Sequence, residues 1–160
     1  MSRARQTAPA PDWKGLEKNI GYTFHDIGLL KNALTHSSYA NESKKSSGSN
    51  ERLEFLGDSV LGYVVADYLF RNCPHLPEGD LTKTRAALVC EKACCGFSRQ
   101  LEVGKYLLLS HGEQNSGGNA RPSILADAFE AIIAAIYLDG GMEEARTFIP
   151  RFVKPMSQTA

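Results

Sequence analysis

The stretch ERLEFLGDSVLGYVVADYLF, residues 51–70, decides the fold, because it has the composition of a buried helix and also contains acids. At about 100° per residue its apolar side chains cover nearly the whole circumference, and such a helix is predicted to be buried. Glu51, Glu54 and Asp58 nevertheless share an arc of about 60° on that helix. The apolar set comprises Leu53, Phe55, Leu56, Val60, Leu61, Val64, Val65, Tyr68 and Leu69.

A second stretch, SILADAFEAIIAAIYL over residues 123–138, repeats this combination of apolar surface and acids. It is apolar on all sides except at Asp127 and Glu130, whose spacing makes them neighbours on one helical face. No Lys or Arg occurs within it to neutralise the two carboxylates. The sequence therefore predicts two buried helices in one small core, both with unpaired acids.

Solvated acidic faces are the usual explanation for acids on helices, but unpaired carboxylates that are partly buried cost several kcal/mol each. We therefore expect these acids to be protonated or to share bound cations. Four carboxylates offer only oxygen ligands, which suit Mg²⁺ or Mn²⁺ and disfavour Zn²⁺ or Cu²⁺. A ferritin-like di-iron site is disfavoured as well, because such sites use Glu-x-x-His motifs and this sequence contains none.

The remaining sequence is also predicted to be helical, so the fold class is all-α, with six or seven helices in one domain. The additional helices are expected over 12–20, 26–34, 81–102 and from residue 142 onward, with a bend at Pro150. Polar loops are predicted at 41–50 and 110–122. The predicted domain organisation is a disordered tail at 1–11, a folded domain at 12–156 and a C-terminal stub at 157–160.

The composition excludes several classes of protein for this chain of 160 residues, which has 18 basic and 18 acidic side chains. No apolar run reaches the length of about 18 residues that a transmembrane helix needs, and the polar start does not resemble a secretory signal. Four cysteines, three of them within residues 90–95, indicate reduced thiols. We therefore expect a cytoplasmic protein that has no membrane partner.

Residues 50–61, NERLEFLGDSVL, resemble the signature of the ribonuclease III family. Further segments resemble the family in the same order: GYTF at 21–24, ALTHSS at 33–38, EGDL at 78–81, RA at 85–86, LV at 88–89, GE at 112–113, SGG at 116–118 and SILADAFE at 123–130. The resemblance covers about residues 14–152. It implies a nuclease domain that cleaves double-stranded RNA as a homodimer.

The resemblance also implies the roles of individual residues. Glu54, Asp58, Asp127 and Glu130 correspond to the metal-binding carboxylates, and Asp58 and Glu130 among them to catalytic residues. Glu51 and Glu78 correspond to supporting acids at the edge of the site, and Phe55 to an aromatic residue that enters a pocket of the partner subunit. An ordinary core position remains the alternative for Phe55, and His36 is interpreted as a structural hydrogen-bonding residue.

The family's chemistry implies Mg²⁺, with Mn²⁺ able to substitute, and in-line hydrolysis that leaves 5′-phosphate and 3′-hydroxyl ends. The expected setting is rRNA and mRNA processing, without a small-molecule substrate. Setting aside the six site acids leaves 12 acidic against 18 basic residues. Recognition of duplex RNA is expected through its shape, its phosphates and its 2′-hydroxyl groups. Candidate phosphate contacts are Lys44, Lys45, Lys83, Arg85, Lys105 and Arg121.

Full-length bacterial members of the family usually have a C-terminal domain that binds double-stranded RNA, and this sequence has no matching segment. We expect the chain to be a nuclease domain of a longer protein rather than a naturally short one. The alternative function is a catalytically inactive member that binds RNA or associates with ribosomes. Such a member would be expected to lose the carboxylates, and all four are present.

Overall fold

The structure, a computed structural model of the chain, describes residues 11–43 and 48–157. The predicted tail apart from Pro11, the predicted stub beyond Ser157, and Lys44 and Lys45 lie outside the described residues. Within those ranges, no helix combines the length and the apolar character needed to cross a bilayer.

The described residues form ten α-helices and no named strand, which confirms the predicted all-α class. The helices are α1 Trp13–Ile20, α2 Ile27–Ala33, α3 Ser37–Glu42, α4 Glu51–Asn72, α5 Glu78–Val89, α6 Glu91–Gln100, α7 His111–Asn115, α8 Pro122–Gly140, α9 Met142–Phe148 and α10 Pro150–Ser157. Two 3₁₀ turns, Val103–Lys105 and Gly118–Ala120, precede α7 and α8. An isolated bridge pairs Thr35 with Leu108.

The structure has more helices than the sequence predicts, in part because two short ones, α3 and α7, have no apolar repeat. The ring of His36 accepts a hydrogen bond from the N–H of Ser38 at the start of α3. The hydroxyl of Ser110 accepts one from the N–H of Glu113 at the start of α7. Such caps satisfy N–H groups that lack a partner inside the helix, so polar segments can form single helical turns.

The stretch predicted as one helix over residues 81–102 forms two helices, and the prediction of a continuous helix is wrong. Cys90 lies between α5 and α6 with an extended backbone, at φ −68° and ψ 165°. This break allows α6 to pack against α8 and to bury Ala93, Cys94 and Phe97. Burial of this apolar face against α8 therefore overrides the local tendency to continue the helix.

The two helices predicted to be buried, α4 and α8, pack along each other at the centre of the molecule. The prediction is confirmed for α8, whose residues between Ile124 and Ile136 are buried apart from Asp127 and Glu130. It is wrong for one face of α4, where Phe55, Tyr63 and Phe70 are 79%, 51% and 74% exposed. The apolar residues of α4 are divided between the core and a face that this chain does not cover.

The close approach of α4 and α8 depends on Gly57, a buried residue in the first half of α4. Its Cα faces the main chain of Glu130 in α8, and a Cβ at this position would overlap the carbonyl oxygen of Glu130. Any larger residue would therefore push the two helices apart.

The far end of α8 is held by a separate set of hydrogen bonds. The carboxylate of Asp139 accepts from the hydroxyl of Tyr22 at 2.6 Å. It also accepts from the backbone N–H groups of His25 and Asp26, at 2.8 and 2.9 Å. These bonds fix the C-terminal end of α8 against the connection between α1 and α2, whereas the contact with Gly57 constrains its middle.

Substitution of Gly57 tests the contact between the helices. We expect Gly57→Ala to lower the free energy of unfolding by about 3 kcal/mol or more, because the added methyl overlaps backbone that cannot move aside cheaply. Denaturant unfolding measures this change.

Gly96→Ala is the matched control, because Gly96 lies inside α6 with open space around the position of a Cβ. It should raise the free energy of unfolding by about 0.5–1 kcal/mol through helix propensity alone. Equal effects of the two substitutions would contradict the proposed close packing at Gly57.

Candidate active site

Four carboxylates meet where α4 and α8 approach each other. Glu54 and Asp58 lie on either side of Gly57 in α4, and Asp127 and Glu130 lie in α8. The carboxyl group of Glu54 lies within hydrogen-bonding reach of that of Asp127, and the carboxyl group of Asp58 within reach of that of Glu130. The structure thus brings together the four predicted metal-binding residues as two acid pairs across the helix contact.

Burial and mutual repulsion favour the protonated forms of these acids. Burial raises the pKa of Glu130 to about 8, and the charges of the other three carboxylates act in the same direction. Burial, followed by the charge of Asp127, raises the pKa of Glu54 to about 7. Burial also raises the pKa of Asp127, although its hydrogen bond with Glu54 acts in the opposite direction. Asp58 differs from the other three because it is exposed rather than half-buried.

The donor set fits a hard divalent cation, since it consists of carboxylate oxygens and the repulsion between them would be relieved by positive charge. In the part of the chain that the structure describes, no three His, Cys, Asp or Glu side chains are arranged as a preformed metal site. The carboxyl groups approach one another in pairs instead. Binding of a cation would therefore displace protons from the acids with raised pKa values and reorient these side chains.

The two predicted supporting acids have different positions. Glu51 is exposed one turn before Glu54, and its charge contributes to the raised pKa of Glu54. Glu51 is therefore at the edge of the carboxylate cluster. Glu78 lies in the first turn of α5, where it lines a cavity of about 260 Å³ with Phe70 and Arg85. No described contact joins Glu78 to the four carboxylates.

Phe55 is 79% exposed, which excludes the core position that the sequence left open. It shares the uncovered face of α4 with Tyr63 and Phe70. The guanidinium of Arg146 in α9 lies over the ring of Tyr63, 5.6 Å from its centroid, and donates a hydrogen bond to its hydroxyl at 2.9 Å. The chain thus has an aromatic surface next to the carboxylates.

The basic residues proposed as phosphate contacts fall into two groups. Arg121 forms an ion pair with Glu113, and Lys105 forms one with Glu102 at 2.7 Å. Lys83 and Arg85 are exposed on α5.

Sequence reasoning missed three residues that shape the site. Gly57 brings the helices together, and a glycine inside an apolar helix next to acids was an available signal. Asn50 is buried and fixes the start of α4, because it donates from its main chain to Thr35 and from its side chain to Ala33, both at 2.9 Å. Glu91, at the start of α6, adds negative charge near Asp127. Asn50 is the first residue of the family-like stretch 50–61, but its role and that of Glu91 depend on contacts across the fold that no local pattern shows.

Comparison with known proteins gives consistent matches to one family. The family model described as Ribonuclease-III-like matches residues 26–156. Ribonuclease 3 of Oceanobacillus iheyensis is 51% identical over 149 residues, which cover 92% of this chain and 65% of that protein. Ribonuclease 3 of Caldanaerobacter subterraneus is 54% identical over 134 residues, which cover 84% of this chain and 59% of that protein. The chain therefore spans about two thirds of the length of these relatives.

Solved structures match the fold as well. The nuclease domain of ribonuclease III from Campylobacter jejuni, described for flexibility in a region involved in dimer formation, is 47% identical with a TM-score of 0.83. The match covers 90% of this chain and 97% of that one. Dicer from Pichia stipitis is 27% identical with a TM-score of 0.63, and the match covers 84% of this chain and 57% of that one. With an all-α fold, paired carboxylates and these matches, the chain belongs to the ribonuclease III family.

The raised pKa of Glu130 predicts how the stability of the metal-free protein depends on pH. A carboxyl group with a higher pKa in the folded state stabilises the fold most below its unfolded pKa. This contribution is lost as the pH rises from the ordinary value of 4.5 towards about 8. Glu130→Gln has no carboxyl group to ionise, so its stability does not fall over this pH range. The variant should therefore melt about 2–4 °C above the parent at high pH, and at almost the same temperature as the parent near pH 4.5.

Thermal unfolding in EDTA, scanned across this pH range, measures the difference. Glu143→Gln is the matched control, because Glu143 is exposed on α9 and should show no comparable change across the range. A Glu130→Gln variant whose advantage stays constant from acid to alkaline pH would disprove the assigned electrostatics.

Proposed function

We propose that this chain is a metal-dependent endoribonuclease that hydrolyses phosphodiester bonds of double-stranded RNA. The main support is one observation: a member of the ribonuclease III family pairs four carboxylates across the contact between α4 and α8. The proposed products have 5′-phosphate and 3′-hydroxyl ends. The proposed setting is rRNA and mRNA processing in the cytoplasm, which agrees with the four free thiols of the described chain.

The proposed cofactor is Mg²⁺, with Mn²⁺ able to substitute, held by Glu54, Asp58, Asp127 and Glu130. When bound, such a cation polarises phosphate oxygens and lowers the pKa of bound water. The chain provides two rigid helices that keep the carboxylates together against their repulsion. Asp58 and Glu130 are the proposed catalytic residues, because they form one pair and Asp58 faces the solvent from which RNA would approach.

A catalytically inactive member that binds RNA or associates with ribosomes is the alternative function. Loss of one or more of the four acids would favour it. The retention of all four, at the cost of burying and crowding carboxylates, favours the enzyme. A binding protein would gain stability by replacing Glu130 with an uncharged residue.

RNA is the proposed substrate, recognised through its backbone and shape because the deep major groove of A-form RNA is not accessible to side chains. Lys83 is the best supported phosphate contact among the described candidates, because it is exposed and no ion pair occupies it in the described structure. Arg85 is also exposed and outside these ion pairs, but it lines the cavity beside Phe70. Lys105 and Arg121 would first have to leave their ion pairs with Glu102 and Glu113.

We also propose that the protein acts as a homodimer through the uncovered face of α4. Phe55, Tyr63 and Phe70 together form an exposed apolar patch on α4. Patches of this kind on a folded domain mark sites of protein association. The cavity of about 260 Å³ described above, which Glu78 and Arg85 line on one side, lies beside this face. Its apolar lining includes Leu69, Phe70 and Leu81, which could contact an aromatic ring of the partner. Dimer formation by the similar nuclease domain from Campylobacter jejuni supports this proposal.

Cleavage of a long RNA duplex tests the activity. The parent protein should cut the duplex in Mg²⁺ or Mn²⁺ and should be inactive in EDTA. Glu130→Gln should lower the rate by at least about 100-fold while the helical circular dichroism persists, because a removed metal ligand costs several kcal/mol of transition-state stabilisation. Glu143→Gln is the control and should keep the parental rate.

Near-normal cleavage by Glu130→Gln would refute the proposed site. Tight duplex binding by the parent without cleavage in either metal would favour the inactive RNA-binding alternative.

A charged residue in place of Phe55 tests whether this face of α4 forms the dimer interface. Phe55→Glu should convert a dimer into a monomer in sedimentation experiments, because a buried carboxylate without a partner opposes association. Helicity should be unchanged, since Phe55 is exposed in the single chain. Ile27→Glu is the control at another exposed apolar residue, on α2, and should remain dimeric. A dimeric Phe55→Glu protein would exclude this face as the interface.

A further inference from the structure

His36 occupies a tightly held position beside the carboxylate cluster. It lies between α2 and α3, where its N–H donates to the carbonyl of Leu108 at 3.0 Å. The N–H of Leu108 in turn donates to the carbonyl of Leu34 at 2.9 Å. The adjacent Thr35 accepts from the N–H of Asn50, the residue that precedes α4. The backbone of His36 is therefore fixed against two other parts of the fold.

The hydrogen bonds of the imidazole involve only one of its two nitrogens. Nδ1 accepts from the N–H of Ser38 at 3.2 Å and lies 2.8 Å from the hydroxyl oxygen of the same residue. That oxygen also accepts from the N–H of Ser110 at 3.0 Å. These contacts engage Nδ1, so Nε2 is the ring nitrogen that is left for a further hydrogen bond. The predicted structural role of His36 is thus performed by Nδ1 alone.

The second nitrogen of the ring is not needed for this structural role. Nε2 has no hydrogen-bond partner among the described residues, although the ring is half-buried. His36 is close enough to Asp127 to act on it electrostatically, but the two side chains are not hydrogen-bonded to each other. A hydrogen-bonding nitrogen on a fixed ring therefore remains available near the start of α4, to which Thr35 and Asn50 connect this segment.

We propose that the Nε2–H of His36 donates a hydrogen bond to a phosphate oxygen of the RNA strand held at the carboxylates. This inference rests on the proposed function, because it assigns a substrate contact within the same site. Fixed polar side chains of this kind position a nucleic-acid backbone without reading its sequence.

Two substitutions separate the structural role of Nδ1 from the proposed role of Nε2. His36→Asn keeps an acceptor near the position of Nδ1, and Asn is among the best N-terminal caps of a helix. The Asn side chain is too short to place a donor where Nε2 lies. His36→Gln places an amide N–H₂ near the position of Nε2, but Gln is a poor N-terminal cap. A purely structural role makes Asn the better replacement, whereas the proposed RNA contact makes Gln the better one.

The experiment measures the free energy of unfolding and the kcat/KM for cleavage of a short RNA duplex in Mg²⁺ for both variants. We expect His36→Asn to retain the parental stability and to lose about 10- to 100-fold in kcat/KM, the effect of one hydrogen bond to a charged group. His36→Gln should be less stable yet more active than His36→Asn, when rates are corrected for the folded fraction. A His36→Asn protein as active as His36→Gln, or more active, would overturn the proposal.

A binding measurement keeps this outcome separate from the proposed function. Fluorescence anisotropy with the same duplex, in the Glu130→Gln background, should show weaker binding for His36→Asn than for His36→Gln. If the parent protein does not cleave RNA, the proposed function fails, but this ranking of affinities still supports or overturns the contact by His36. Equal affinities of the two variants would overturn it even in an active enzyme.

Discussion

The contact between Gly57 in α4 and the main chain of Glu130 in α8 is the constraint on which the rest of the structure depends. Because no side chain separates the helices there, the acids that flank Gly57 meet the two acids of α8. The opposite side of α8 is filled by α6 and α10, where Phe97, Phe129 and Phe152 pack with ring centroids 5.3 Å apart. This apolar packing holds α8 in place while its other side bears the carboxylates.

The same contact creates the electrostatic cost of the site. Crowded and partly buried carboxyl groups favour their protonated forms, which is why the pKa values of Glu54 and Glu130 rise to about 7 and about 8. Uptake of a cation would have to displace these protons, so metal affinity and pH are coupled in this arrangement. A fold without a function at this position would be more stable with uncharged residues there.

The surroundings of the cluster are assembled from segments that are distant in sequence. Asn50, at the start of α4, is hydrogen-bonded to Ala33 and Thr35, and the bridge between Thr35 and Leu108 adds a third segment. These connections hold the segment that contains His36 against the start of α4. On an adjacent face of α4, the exposed aromatic residues form a surface suited to association. Substrate binding and assembly are therefore proposed to use adjacent faces of one helix.

The helical class, the two central helices and the four carboxylates could be predicted from the amino-acid sequence, because apolar periodicity and unpaired acids are local patterns. Short motifs such as NERLEFLGD also indicated the family. Three features became visible in the folded chain alone: α4 is buried on one side, the helix predicted over residues 81–102 breaks at Cys90, and Gly57 allows the acids to pair. Each of these outcomes depends on which surface packs against which, and that information is shared between segments far apart in the chain.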